Sequence, residues 1–261
     1  MKNEINIKNE FIRLVKIMEK LRSETGCPWD REQTHKSLRQ FLLEEAYEVL
    51  ELIDTGRYSE LQNELGDLLL QVIFHSQIAA EEGLFNIENI LLNINKKLIH
   101  RHPNVFGNVI INNAQEQIVN WERMKQKEGK KSVIDGVPKE LSALLRAHRI
   151  QAKAATVGFD WQNAQQVWQK VEEEIGEFKE ALKNSNPDEI EEEFGDILFS
   201  LVNLSRFIQV NPEDALRKTI TKFTERFKKV EAEIARQKKT LADSTLEEMD
   251  AIWEKVKQKK V

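Results

Sequence analysis

The chain of 261 residues contains a single cysteine, Cys27. A lone thiol closes no internal disulfide and builds no cysteine-rich zinc site, which fits a reducing cytoplasm. Five prolines, ten glycines and 7% aromatic residues leave few of the side chains that punctuate turns and favour strands. No apolar run approaches the ~18–20 residues of a membrane span. The opening MKNEINIKNE lacks a basic stretch followed by an apolar one, so the expectation is a chain neither secreted nor membrane-bound. Basic residues are not in excess either. Thirty-nine against 44 acidic residues give a net charge of −5, which excludes a general pull toward nucleic acid and makes any phosphate site a local one. Also missing are a Walker-type glycine loop, a dinucleotide fingerprint and a G-x-S-x-G elbow.

What remains is Lys, Glu, Leu and Ala, with 40% hydrophobic and 32% charged residues overall. That composition predicts a mostly helical protein with enough apolar material for one large domain or two of about 130 residues. An internal repeat decides for two. LLEEAYEVLE at Leu42–Glu51 matches VEEEIGEFKE at Val171–Glu180, and NELGDLLLQ at Asn63–Gln71 matches EEFGDILFS at Glu192–Ser200, both at an offset of 129 without a gap. Lys97 and Arg101 match Lys222 and Arg226, and WERMKQK at Trp121 matches WEKVKQK at Trp253. The interruption at Lys127–Glu140, with two glycines and Pro138, places domains at 1–130 and 138–261.

Within each copy, apolar residues recur at three- and four-residue intervals: Leu68, Leu69, Val72 and Ile73, then Ile197, Leu198, Leu201 and Val202. Turn signals at Asp54–Gly56 and Asn184–Asp188 make each copy a helical hairpin followed by one or two further helices, with Asp188 as the expected cap of the returning helix. Glu45 and Glu48 share a helix face, as do Glu64 and Asp67, and a hairpin can set the pairs opposite each other. Glu174, Glu177, Glu193 and Asp196 repeat the pattern. Converging carboxylates repel and need cations, and oxygen-only donors favour magnesium or manganese over zinc or copper.

An isolated E-x-x-E in so charged a chain is ordinarily a solvated face. Repetition at fixed spacing, with glycines inside both returning helices, favours a site instead. A mid-helix glycine costs ~1 kcal/mol relative to alanine, so Gly66 and Gly195 imply close approach of another helix or of a ligand. Lys222 and Arg226, one turn apart, can clamp phosphate oxygens, and Lys170 stands one turn before Glu174 where the first copy has Phe41. Trp29, Trp121, Trp161 and Trp253 read first as packing anchors, with base stacking as the second reading. Glu32 and His35 have one of the two E-x-x-H spacings that a di-iron carboxylate bundle requires. Cys27, His75 and His148 read as packing or surface residues.

LLEEAYEVLE with ELGDLLLQVIFH, preceded by GCPWDREQTH and followed by RHPNVFG, resembles the MazG nucleoside triphosphate pyrophosphohydrolases. VGFDW, VEEEIGEFKE, EEEFGDILFSLVNLSR and KFTERF extend the resemblance over nearly the whole chain. It implies an all-α fold of two tandem related helical domains, a homodimer, and Mg²⁺-dependent cleavage of nucleoside triphosphates to monophosphate and diphosphate. Carried over by position, Glu174, Glu177, Glu193 and Asp196 bind metal and, with Glu173, form the catalytic set. Lys170, Glu173, Glu189, Glu192, Asp196, Lys222, Arg226 and Trp253 contact the nucleotide. Glu45, Glu48, Glu64 and Asp67 match the metal pattern in the first copy, whose Phe41 departs from it. The expected chemistry is attack of water at the α-phosphorus, with Glu173 orienting the water or taking its proton. A di-iron bundle and a non-enzymatic helical scaffold are the alternatives.

Overall fold

The computed structural model describes residues 2–127 and 132–258, so residues 128–131, inside the expected interruption, lie outside the described residues. All regular structure among them is helical: α1 (Lys2–Arg22), α2 (Pro28–Glu32), α3 (Arg39–Thr55), α4 (Leu61–Glu81), α5 (Ile87–Arg101), α6 (Pro103–Phe106), α7 (Ala114–Lys127), α8 (Ala143–Ala155), α9 (Ala164–Asn184), α10 (Pro187–Phe207), α11 (Pro212–Arg236) and α12 (Leu246–Gln258). None is long and apolar enough to cross a membrane. The chain divides into two compact units, Met1–Ile111 and Asn112–Val261, so α7, which carries the first copy's Trp121, groups with the second unit.

In the first unit, α3 and α4 form the acidic hairpin and α1 lies along α4. Met18, Leu38, Ile73, Phe74 and Ile78 are its buried core, with Phe41 and Leu70 packed against them. Arg22, at the end of α1, ties the α2 region to α4. Its guanidinium bonds both Glu81 oxygens, Nε at 2.9 and 3.0 Å and Nη2 at 2.7 Å, and it also donates to the carbonyls of Asp30 and Gln33.

In the second unit, α9 and α10 form the matching hairpin, with α8 packed on α10. Val167, Val171, Ala181 and Val202 are buried there. The helices α11 and α12 pack on each other through Val230, Ile234 and Ile252, with Trp253 against that cluster.

The two copies solve the same end-of-helix problems at aligned positions. After α3 the chain turns through Gly56 at φ 69°, and after α9 through Ser185, its counterpart, at φ 55°. Asn86 and Asn211 cap α5 and α11, each side chain accepting from a backbone N–H of the first turn. One expectation is corrected. The cap of α10 is Asn186, whose side chain accepts from the Asp188 N–H, because Pro187 occupies the first helical position and needs no bond to its nitrogen.

Candidate active site

Glu174 and Glu177 on α9 face Glu193 on α10, and one oxygen from each lies within 4.8 Å of the other two. Glu45, Glu48 and Glu64 form the same triad in the first unit. The spacing follows from the hairpin: residues three apart share a helix face, and a short turn returns the chain so that the faces meet. Asp196 and Asp67 lie outside these triads but close enough to act on them electrostatically. The Glu193 carboxyl is raised above the ordinary carboxylate range, first by partial desolvation and then by Glu177, Glu174, Asp196 and Glu192. Glu45 is raised by desolvation, Asp67, Glu48 and Glu64, and Glu64 by desolvation and a hydrogen bond shared with Glu48. Clustered anions that raise one another's proton affinity fit a cation, and their hard oxygen donors suit a hard divalent one.

The two sites differ where the sequences do. Lys170 places its ammonium 2.8 Å from Glu173 and 2.7 Å from Glu174, whose side chain is buried. Those bonds to Glu173 and Glu174 push the Lys170 pKa up. In the first unit, Phe41 packs instead into the core and stands edge-on to Trp29, with ring centres 5.7 Å apart. A groove of about 430 Å³ runs beside the second triad, bordered by Glu173, Gly176, Glu177, Glu189 and Glu193. Glu189 accepts a bond from the capping Asn186 at 2.9 Å, and Glu192 is exposed on α10.

Lys222 and Arg226 lie on α11, and Trp253 lies on α12 with its ring 5.2 Å from that of Phe223. Their helices pack on each other, and α11 also meets α8. The hairpin therefore brings the carboxylates and Lys170 together, while the Lys222–Arg226 clamp belongs to a separate helix pair.

The glycine expectation needs correction in part. A Cβ at Gly66 or Gly195 has no atom within 4 Å, so among the described residues no other helix approaches there, and the ligand alternative is the one that stays open. The di-iron reading loses its support as well. His35 stacks on His75 with Nδ1 atoms 2.7 Å apart, and the metal-capable clusters among the described residues are the two carboxylate triads. Cys27 is free and half-buried just before α2. Sequence reasoning overlooked Gln151, a buried amide on α8 bonded to the Phe199 carbonyl of α10 at 2.9 Å. An isolated glutamine forms no spacing pattern that would have marked it.

Comparison with known proteins matches both copies. Residues 33–106 and 162–231 each match the MazG nucleotide pyrophosphohydrolase domain. The chain is 50% identical over 250 residues to the nucleoside triphosphate pyrophosphohydrolase/pyrophosphatase MazG of Thermotoga maritima, covering 95% of each chain. It is 41% identical over 260 residues to the nucleoside triphosphate pyrophosphohydrolase of Escherichia coli, covering 97% of this chain and 99% of that one. YabN of Bacillus subtilis, an uncharacterized protein, is 42% identical over 263 residues that make up 54% of its length. A duplicated acidic hairpin, matched in both copies and aligned almost end to end with two such enzymes, places the chain in the MazG family of nucleoside triphosphate pyrophosphohydrolases.

Proposed function

We propose that the protein hydrolyses nucleoside triphosphates to monophosphate and diphosphate, chiefly in its second copy, as a cytoplasmic enzyme of nucleotide housecleaning or pool control. The observation that carries this reading is the Glu174–Glu177–Glu193 triad with Lys170 bound at its edge. Glu174, Glu177, Glu193 and Asp196 would hold Mg²⁺, with Mn²⁺ equally suited to oxygen donors. Bound there, the ion supplies charge neutralisation for the phosphate chain and a water of lowered pKa.

The remaining work falls to this chain's own side chains. Glu173, exposed beside the triad, orients the attacking water and takes its proton. A bond forms from that oxygen to the α-phosphorus as the bond from the α-phosphorus to the bridging oxygen breaks, and the electron pair leaves with the diphosphate. Lys170, Lys222 and Arg226 offset the charge on the leaving group. Trp253, Glu189 and Glu192 border the nucleotide. The first copy keeps Glu45, Glu48, Glu64 and Asp67 as metal ligands, but has Phe41 where the second copy has Lys170.

We place the duplicated domains at 1–130 and 138–261, and take the assembly as a homodimer. The hairpins support the second point: Leu43, Tyr47, Leu65, Phe194 and Leu198 are exposed apolar residues that a second copy could cover. The reaction is tested by phosphorus NMR of products from each nucleoside triphosphate with Mg²⁺. Monophosphate plus diphosphate is expected. Nucleoside diphosphate plus orthophosphate, or no turnover, refutes the reading. Glu193→Ala should abolish turnover and Glu64→Ala should lower it less; the reverse order would move the working site to the first copy.

A further inference from the structure

A second cavity in the unit Asn112–Val261, about 410 Å³, lies between α8, the turn before α9, and α10. Three rings, Phe159, Trp161 and Phe199, border it and are 83%, 44% and 47% exposed, beside an ion pair between Arg206 and Asp160 at 2.6 Å. Rings left this open on one cavity are unusual unless something flat and apolar covers them. Gln151 forms part of the same wall and is only 6% exposed. Its Nε2 donates to the Phe199 carbonyl at 2.9 Å, which fixes the orientation of the amide. Its Oε1 is buried and accepts no bond from the protein. A buried acceptor without a donor is uncommon because it gives up hydration for nothing. A ligand that brings an N–H to it removes that deficit.

The cavity also lies further along α10 from Asp196, the carboxylate beside the triad. Asn203, on its wall, follows Asp196 by seven residues, two turns of α10, and so projects at nearly the same angle about 10 Å further along the helix. That is the reach from the phosphates of a nucleotide to its base. Three exposed rings, an acceptor at Gln151 without a donor, and this distance together fit a flat heterocycle carrying an N–H.

We propose that this cavity is the nucleobase subsite of the second copy, and that Gln151 Oε1 accepts a hydrogen bond from the amino group of adenine or cytosine. The inference rests on the reading of the α9–α10 hairpin as the triphosphate site. Gln151 thereby becomes a specificity-determining residue, and the phosphates are held independently of it.

The full chain is tested with two substrate pairs, each differing only in the amino group: ATP against purine riboside triphosphate, and CTP against the triphosphate of 2-pyrimidinone riboside. In at least one pair, the wild-type protein should favour the amino-bearing member about tenfold in kcat/KM, the worth of one buried hydrogen bond. Gln151→Met should bring that ratio toward one by lowering the amino-bearing substrate alone, while Gln151→Glu, which keeps an acceptor, retains part of it. Inhibition by inorganic tripolyphosphate, which has no base, should be unchanged by either substitution. Should Gln151→Met fold poorly, Ala154→Leu, which narrows the cavity, should weaken every nucleotide and leave tripolyphosphate inhibition intact. Absence of a gap in both pairs, or a gap that survives Gln151→Met in a folded protein, overturns the subsite. If no triphosphate is turned over, the hydrolase reading fails separately. The subsite then stands or falls on calorimetric binding of adenosine against purine riboside, with the same tenfold gap expected.

Discussion

Replacing Lys170 with methionine tests the electrostatic core of the proposed site. The ammonium lies 2.7 Å from Glu174 and 2.8 Å from Glu173. The Glu174 side chain is 8% exposed and the Lys170 side chain 34%. Methionine keeps the aliphatic stem and removes the charge, leaving a buried carboxylate whose nearest charged neighbours on the triad, Glu177 and Glu193, are also anionic. Breaking a fully buried pair costs about 3–5 kcal/mol. Solvent screening of a lysine one-third exposed reduces this to about 1–3 kcal/mol. For a unit of this size that is a fall in melting temperature of roughly 3–10 °C. Metal changes the comparison. In the wild-type protein a divalent ion must compete with Lys170 for Glu174, whereas in the variant it meets no competitor. Melting curves by circular dichroism with and without Mg²⁺ should therefore show Lys170→Met less stable in EDTA and stabilised more by Mg²⁺ than the wild type. Turnover should fall in both cases, because the phosphates lose a cation. Equal melting in EDTA and equal shifts with Mg²⁺ would refute the assignment of Lys170 as counter-ion of the triad.

Three further expectations rest on the same structure. Ser185 occupies the left-handed region at φ 55°, where its aligned counterpart is Gly56, so Ser185→Gly should stabilise the second unit by about 1 kcal/mol in chemical denaturation. Gly195→Ala should raise the melting temperature by about 2–4 °C, because a Cβ there meets open space and helix propensity gains ~1 kcal/mol; a fall would show that another molecule occupies that face. Arg22→Met should destabilise the first unit by about 1–3 kcal/mol through the ion pair to Glu81 and the bonds to the Asp30 and Gln33 carbonyls that it removes. Because Arg22 holds Glu81 below its ordinary value of 4.5, this pair stabilises the fold above the unfolded-state pKa and is lost as pH falls through the lower folded one. Acid unfolding of Arg22→Met should accordingly depend less on pH below about 4.5 than that of the wild type.

The hairpins were legible because two periodicities coincide in the sequence. Apolar spacing set the helices, and the i, i+3 carboxylates repeated at one offset set which faces meet. The offset even aligns Gly56 with Ser185, although only glycine announces a left-handed turn on its own. What depends on tertiary placement was not legible. Arg22 and Glu81 are 59 residues apart and joined only by the packing of α1 on α4. Lys170 was visible as a residue one turn from Glu174, but its hold on a buried carboxylate depends on how α9 packs against α10. At the helical glycines only one of the two expected neighbours, a second helix, is ruled out. A glycine in a helix signals that a side chain is disfavoured, not what excludes it, and at Gly66 and Gly195 nothing in the chain does.

The difference between the copies follows from one position more than from the carboxylates. Both triads are intact, so loss of metal ligands does not separate them. At the position of Lys170 the first copy has Phe41, and the side chain turns from the acids to the core, against Trp29. The Glu45 carboxyl is raised above the ordinary carboxylate range, with desolvation leading and Asp67, Glu48 and Glu64 adding to it. A site of this kind can still take a small cation, since metal and proton satisfy the same crowding. It lacks the ammonium that Lys170 sets beside Glu174 in the second copy, which leaves Lys97 and Arg101 as the cations the repeat gives it for phosphate. In the second copy the lysine already sits among the acids, so a metal that took Glu174 would leave the ammonium available for phosphate charge. Duplication thus yields two hairpins with the same carboxylate triad that differ in the group beside it, and the Glu193→Ala and Glu64→Ala pair reads out what that difference does.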